Sequence, residues 1–156
     1  MTFSICMLIT WIVIIILSLI PKRLSEIDMV FLFFVNTIFE LSIFTIFHVN
    51  LKWLNISQEV EKSLADLMFR LIMVPLFFII STNILLYSWK FLKWIIILAM
   101  LVCFILMKDL LKSLGILTTH HWNMMYSILM FCSYLIFSRL MAWFITKAGS
   151  KEVDKL

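Results

Sequence analysis

The stretch FFVNTIFELSIFTIFH, residues Phe33–His48, decides how this chain is to be read. Thirteen of its sixteen residues are at home in oil or at its edge; Asn36, Glu40 and His48 are not. An apolar run of this kind, free of glycine and proline, predicts a helix in lipid. An open sheet could not satisfy its backbone there. A carboxylate in the middle of such a helix is expensive and needs a compensating partner, water or a proton.

The rest of the chain has the same character. Of 156 residues, 64% are hydrophobic and 14% charged, and the mean hydropathy is +1.12. A soluble domain of this size needs many more polar residues to cover its surface. The solvent for most side chains is therefore lipid, and residues 1–156 have room for a single transmembrane domain. Glycine and proline occur only twice each, so few helices can be broken, while 15 phenylalanines and 11 methionines predict packing by bulky, adaptable side chains. The net charge of +4 comes from lysines scattered between apolar runs. That pattern suits the lipid bilayer and its anionic headgroups; no nucleic acid partner is expected, because its footprint needs clustered basic residues. Cys6, Cys103 and Cys132 lie inside apolar runs with no CxxC pair. They read as buried small hydrophobes.

A helical span needs about 20 mostly apolar residues. Runs at 3–20, 29–49, 67–89, 92–111 and 122–146 meet that condition, which predicts an all-α bundle of five transmembrane helices. The first run lacks a preceding basic residue and a small-residue cleavage site, so it reads as a retained helix. Ser25 followed by Asp28 resembles a capping box opening the second helix. Pro75 predicts a kink in the third. With the N-terminus outside and the C-terminus inside, the inner side holds seven basic residues, Lys22, Arg23, Lys90, Lys93, Lys147, Lys151 and Lys155. The outer side then holds four, Lys52, Lys62, Lys108 and Lys112, which favours that orientation. Trp53, Ile56, Val60, Leu64 and Leu67 recur at helical spacing. Residues 53–66 thus form either an interfacial amphipathic helix or the first turns of the third span.

The polar residues inside these runs are the candidate site. Asn36 and Glu40 share one helix face at a spacing of four. His48, Arg70, Asn83, Asn123 and Arg139 complete an expected polar seam, with Arg70 or Arg139 the expected partner of Glu40. The plainer reading makes the seam a device that fixes helix register; the sharper one makes Glu40 a proton or cation acceptor. His120–His121 reads as a pair of interfacial residues, and no metal site is expected. The chain holds no HExxH, GxSxG, P-loop or paired intramembrane acids, so neither catalytic residues nor a cofactor is expected.

Three segments carry a resemblance: LIPKRLSEIDMVFLFF, the VP-containing RLIMVPLFFIISTNIL, and HHWNMMYSILMFCSYLIF. Together they resemble a family of small multi-span membrane proteins of unknown function found in endospore-forming bacteria. In that family a proline-bearing K/R-L loop precedes the second span and a W-x-x-x-Y-S segment opens the last. Here these are Pro21–Leu24 and Trp122, Tyr126 and Ser127. The second loop departs from the family pattern, being longer and charged. The resemblance implies a protein of the bacterial cytoplasmic membrane with no established activity. The leading functional expectation is a non-enzymatic interaction or accessory subunit, as a homo-oligomer or with a membrane-protein partner. The alternative is a small carrier or channel subunit that uses Glu40 for proton or cation coupling.

Overall fold

The computed structural model describes residues 2–88, 91–119 and 123–153, with side chains described to residue 147. Among the described residues five helices are long and apolar enough to cross a membrane: Thr2–Leu19, Glu26–Asn50, Val60–Leu85, Leu92–Ser113 and Met124–Lys147. The last continues as helix to Val153. This is a multi-pass, all-α architecture.

The second helix starts where its local chemistry dictates. Asp28 N–H donates to Ser25 Oγ at 3.2 Å and Ser25 N–H donates to Asp28 Oδ2 at 3.2 Å. Both halves of the capping box are therefore made. The helix closes with a π turn, Ile46–Asn50. The third helix contains another, Phe69–Met73, immediately before Val74 and Pro75. Proline has no N–H to donate and its ring crowds the carbonyl four residues back, so a widened turn on its N-terminal side accommodates it.

The helices run up and down. At one end the loop after the first helix meets the loop after the third. Tyr87 Oη donates to the Pro21 carbonyl at 2.6 Å, and the Arg23 guanidinium sits 4.9 Å from the centre of the Tyr87 ring. At the other end the second and fourth loops pair as a two-stranded antiparallel sheet of β1 (Leu54–Ile56) and β2 (Leu117–Thr119). The start of the first helix lies at this sheet end, where Phe3 N–H donates to Glu61 Oε1 at 3.3 Å. Gly115, at φ +66°, ends the fourth helix in a Schellman motif that feeds β2. Its N–H reaches the Lys112 carbonyl at 2.9 Å and Ile116 N–H reaches Leu111 at 3.0 Å.

The third helix is the axis of the bundle and packs against the other four. Phe78, fully buried on it, stacks on Tyr134 of the fifth helix with ring centres 4.8 Å apart. It also contacts Phe104 of the fourth at 5.8 Å and Phe131 of the fifth at 5.6 Å. Leu54 of β1 and Leu117 of β2 are buried in the same core cluster as Phe78, Phe104 and Phe131, which joins the short sheet to one end of this aromatic core.

Three expectations are corrected here. Residues 53–66 are not an interfacial helix: 54–56 pair as a strand, and the third helix begins at Val60. Its first turns carry the apolar periodicity. Cys103 and Cys132 are exposed on the helix surface rather than buried, since a thiol is apolar enough to face lipid; Cys6 is buried. Lys108 belongs to the fourth helix and is buried there, not in an outer loop. Trp89, Lys90, His120, His121 and Trp122 lie outside the described residues, as do the ends of the chain.

Candidate functional site

Along the second helix Asn36, Glu40, Phe44 and His48 follow one another at intervals of four, and that stripe faces the third helix. The third helix answers with Asp66 and Arg70, also four apart. Arg70 grips Asp66 with two nitrogens: Nε and Nη2 lie 3.1 and 2.8 Å from Oδ1, and Nη2 lies 2.7 Å from Oδ2. The two side chains are only 9% and 5% exposed, so this is a buried, charge-assisted pair. The Arg70 guanidinium also lies 3.1 Å from the centre of the Phe44 ring, and His48 stacks on the other side of that ring at 4.8 Å. His48 Nδ1 contacts the Leu54 carbonyl at 2.6 Å, which ties the stack to β1.

The expected pairing of Glu40 is therefore corrected in part. The hydrogen-bonding partner of Arg70 is Asp66, one turn away on its own helix. Glu40, 4% exposed, instead lines a small cavity of about 40 Å³ together with Asp66, Arg70 and Lys108. That is room for about one water. Phe44, Phe104, Met130, Leu54 and Leu117 supply apolar wall, the last two from β1 and β2. Lys108 enters from the fourth helix; its Nζ lies 3.1 Å from Met130 Sδ and 5.4 Å from the Phe104 ring centre. Arg70 and Lys108 both act on Glu40 through space. Two acids and two bases thus meet from three helices, and their formal charges cancel. One carboxylate oxygen, Glu40 Oε2, is buried with no hydrogen-bond partner among the described residues.

The remaining seam residues separate into different roles. Asn36 Nδ2 donates to Ser138 Oγ at 3.1 Å, and Ser138 Oγ shares a 2.7 Å hydrogen bond with Thr82 Oγ1. This junction ties the second, third and fifth helices together through polar groups in the core. Asn83 is used elsewhere: its Oδ1 accepts from the backbone N–H groups of Arg23 and Leu24 at 3.0 and 3.2 Å. It fastens the first loop to the end of the third helix. Asn123 is exposed at the start of the fifth helix, where its carbonyl accepts from Tyr126 N–H at 3.0 Å, and takes no part in the seam. Arg139 is half-buried and does not line the Glu40 cavity. Following Ser138 directly, it sits about 100° further round the helix from the side that meets Asn36.

Asp66, Lys108, Ser138 and Thr82 were not foreseen as members of the site. The spacing of Asp66 to Arg70, and of Lys108 to Phe104 and Met100 on the buried face of the fourth helix, was the available signal. Among the described residues no group of three or more His, Cys, Asp or Glu is placed to hold a metal ion. Compared with protein-family models, curated proteins and solved structures, the chain matches none.

Proposed function

We propose that this chain is a non-enzymatic protein of the bacterial cytoplasmic membrane in which Glu40 takes up and releases a proton, as a small carrier or channel subunit. The observation that carries the reading is Glu40 itself. It is a buried carboxylate with one oxygen unpartnered, on the wall of a cavity sized for water and faced by cations on two other helices. A residue serving only to fix helix register would be expected to have both oxygens paired, as the Asp66 carboxylate has. The excess of lysine and arginine in the loops after the first and third helices favours placing the sheet end outside and the C-terminus inside. The resemblance carried by Pro21–Leu24 and by Trp122, Tyr126 and Ser127 supports the bacterial assignment.

The test is proton binding. Purified protein in detergent is taken through a pH step and the protons bound are counted by back-titration. Wild type should bind one more proton than Glu40→Gln, with both variants equally helical. Equal counts across the accessible pH range would end the proposal.

One observation favours a second reading, an interaction or accessory subunit. The cavity, at about 40 Å³, is too small for a solute, and the Asn36–Ser138–Thr82 junction has the character of a structural lock. Under that reading Glu40→Gln leaves any phenotype and every partner captured by in-membrane crosslinking unchanged.

A further inference from the structure

The first and second helices each pack on the third, and at the end away from the sheet they leave an open cleft of about 330 Å³ between them. Volumes of roughly 300–1,000 Å³ are typical of small-molecule sites. Leu17 of the first helix and Phe33 of the second form its walls, and Leu76 and Ile79 of the third form its floor. Lys22 and Glu26 stand at its mouth. Phe33 lies two helical turns beyond Glu26, so the apolar part runs roughly 10 Å from the charged rim toward the middle of the span.

The rim is held in place, and its two charges are uncommitted. On either side of Lys22 the backbone is fastened: the Pro21 carbonyl accepts from Tyr87 Oη at 2.6 Å, and Arg23 N–H donates to Asn83 Oδ1 at 3.0 Å. The Ser25–Asp28 capping box fixes the turn that carries Glu26. The other charged side chains of this segment have partners, Arg23 over the Tyr87 ring and Asp28 in the capping box. The exposed side chains of Lys22 and Glu26 make no ion pair or hydrogen bond with any described residue, each other included. Two opposite charges left unpaired above an apolar cleft fit a ligand that carries both signs on an apolar chain. By contrast, the hollow of about 450 Å³ between the first, third and fourth helices has no charged lining residue, so it accepts any acyl chain and selects none.

We infer that this cleft binds a phospholipid whose headgroup carries both a phosphate and a primary ammonium, as in phosphatidylethanolamine, with one acyl chain lying between the first and second helices. Lys22 Nζ donates to the phosphate, and the Glu26 carboxylate accepts from the headgroup ammonium. A quaternary ammonium has no N–H to donate to Glu26, and a glycerol headgroup brings it no cation. Phosphatidylcholine and phosphatidylglycerol therefore make only part of these contacts. The site is separate from the Glu40 cavity and holds whether or not Glu40 takes up a proton.

Native mass spectrometry of the protein in detergent counts the phospholipids retained per chain during titration with phosphatidylethanolamine, phosphatidylcholine or phosphatidylglycerol of identical acyl chains. Wild type should retain one phosphatidylethanolamine with an apparent affinity about tenfold or more above that for the other two, the size expected of one charge-assisted hydrogen bond. Glu26→Gln should erase the preference over phosphatidylcholine, and Lys22→Gln should weaken retention of all three lipids about tenfold. Lys93→Gln removes the same charge at the same end of the bundle but outside the cleft, and should change neither. Equal retention of the three lipids by wild type, or the same loss in Lys93→Gln as in Lys22→Gln, would overturn the site. A preference for phosphatidylglycerol would overturn the headgroup assignment. A lipid-free dimer in place of the lipid-bound chain would make a second copy the occupant and overturn the inference.

Discussion

The Asp66–Arg70 pair makes the most demanding structural prediction. Replacing Arg70 by methionine keeps a long apolar stem but removes all three short contacts to Asp66, at 3.1, 2.8 and 2.7 Å, and the contact with the Phe44 ring. Asp66, 5% exposed in its side chain, is left as an uncompensated carboxylate in the core. Breaking a buried pair from one side costs about 3–5 kcal/mol. Asp66→Leu, which strands the guanidinium instead, should cost a similar amount. The double variant removes both charges, and buried pairs exchanged for apolar groups are often neutral. It should therefore lose no more than about 2 kcal/mol. Reversible unfolding in bicelles of wild type, both single variants and the double variant measures the cycle. A coupling above about 2 kcal/mol is expected; losses that add to within about 0.5 kcal/mol would refute the pairing.

Three further outcomes follow from the same structure. Asn83→Leu deprives the Arg23 and Leu24 N–H groups of their shared acceptor and should destabilise the fold by about 1–3 kcal/mol. It should also speed proteolysis at residues 20–25. Ser138→Ala breaks the junction of the second, third and fifth helices; interhelical hydrogen bonds in membranes contribute about 0.6–1.7 kcal/mol, and bicelle unfolding should register a loss in that range. At Gly115 the backbone is left-handed and, among the described residues, an added Cβ would meet only Lys62 Nζ, at 3.7 Å, so the expected cost of alanine is conformational. Gly115→Ala should lose about 1–2 kcal/mol and Gly115→Asn clearly less, since asparagine tolerates that conformation; equal losses would rule out backbone strain as the cause.

Much of the fold was legible because lipid imposes a simple rule. Five apolar runs could only be five helices, and Ser25 and Asp28 form the capping box their spacing suggested. The β1–β2 pairing was not legible: two three-residue strands are too short to show alternation, and the partners are more than sixty residues apart. The site was half legible. Glu40 stood out because a carboxylate in a phenylalanine-rich helix has no ordinary explanation. Asp66 and Lys108 were hidden by their neighbours. Asp66 follows Glu59, Glu61 and Lys62, and Lys108 precedes Asp109 and Lys112, so each read as part of a solvated loop. Their spacing of four from Arg70 and Phe104 pointed inward, and only packing shows which signal prevails. Asn83 illustrates the opposite case. A buried asparagine near a helix end reads as a seam residue, yet it serves a loop backbone that sequence does not place beside it.

The measurement that bears most directly on the account is proton flux into vesicles reconstituted with the purified protein and loaded with a pH-sensitive dye. An imposed pH gradient should dissipate faster with wild type than in protein-free vesicles, and Glu40→Gln should return the rate to the protein-free value at unchanged protein content. Wild-type and Glu40→Gln vesicles that are indistinguishable from each other would contradict the claim that this carboxylate carries protons across the membrane.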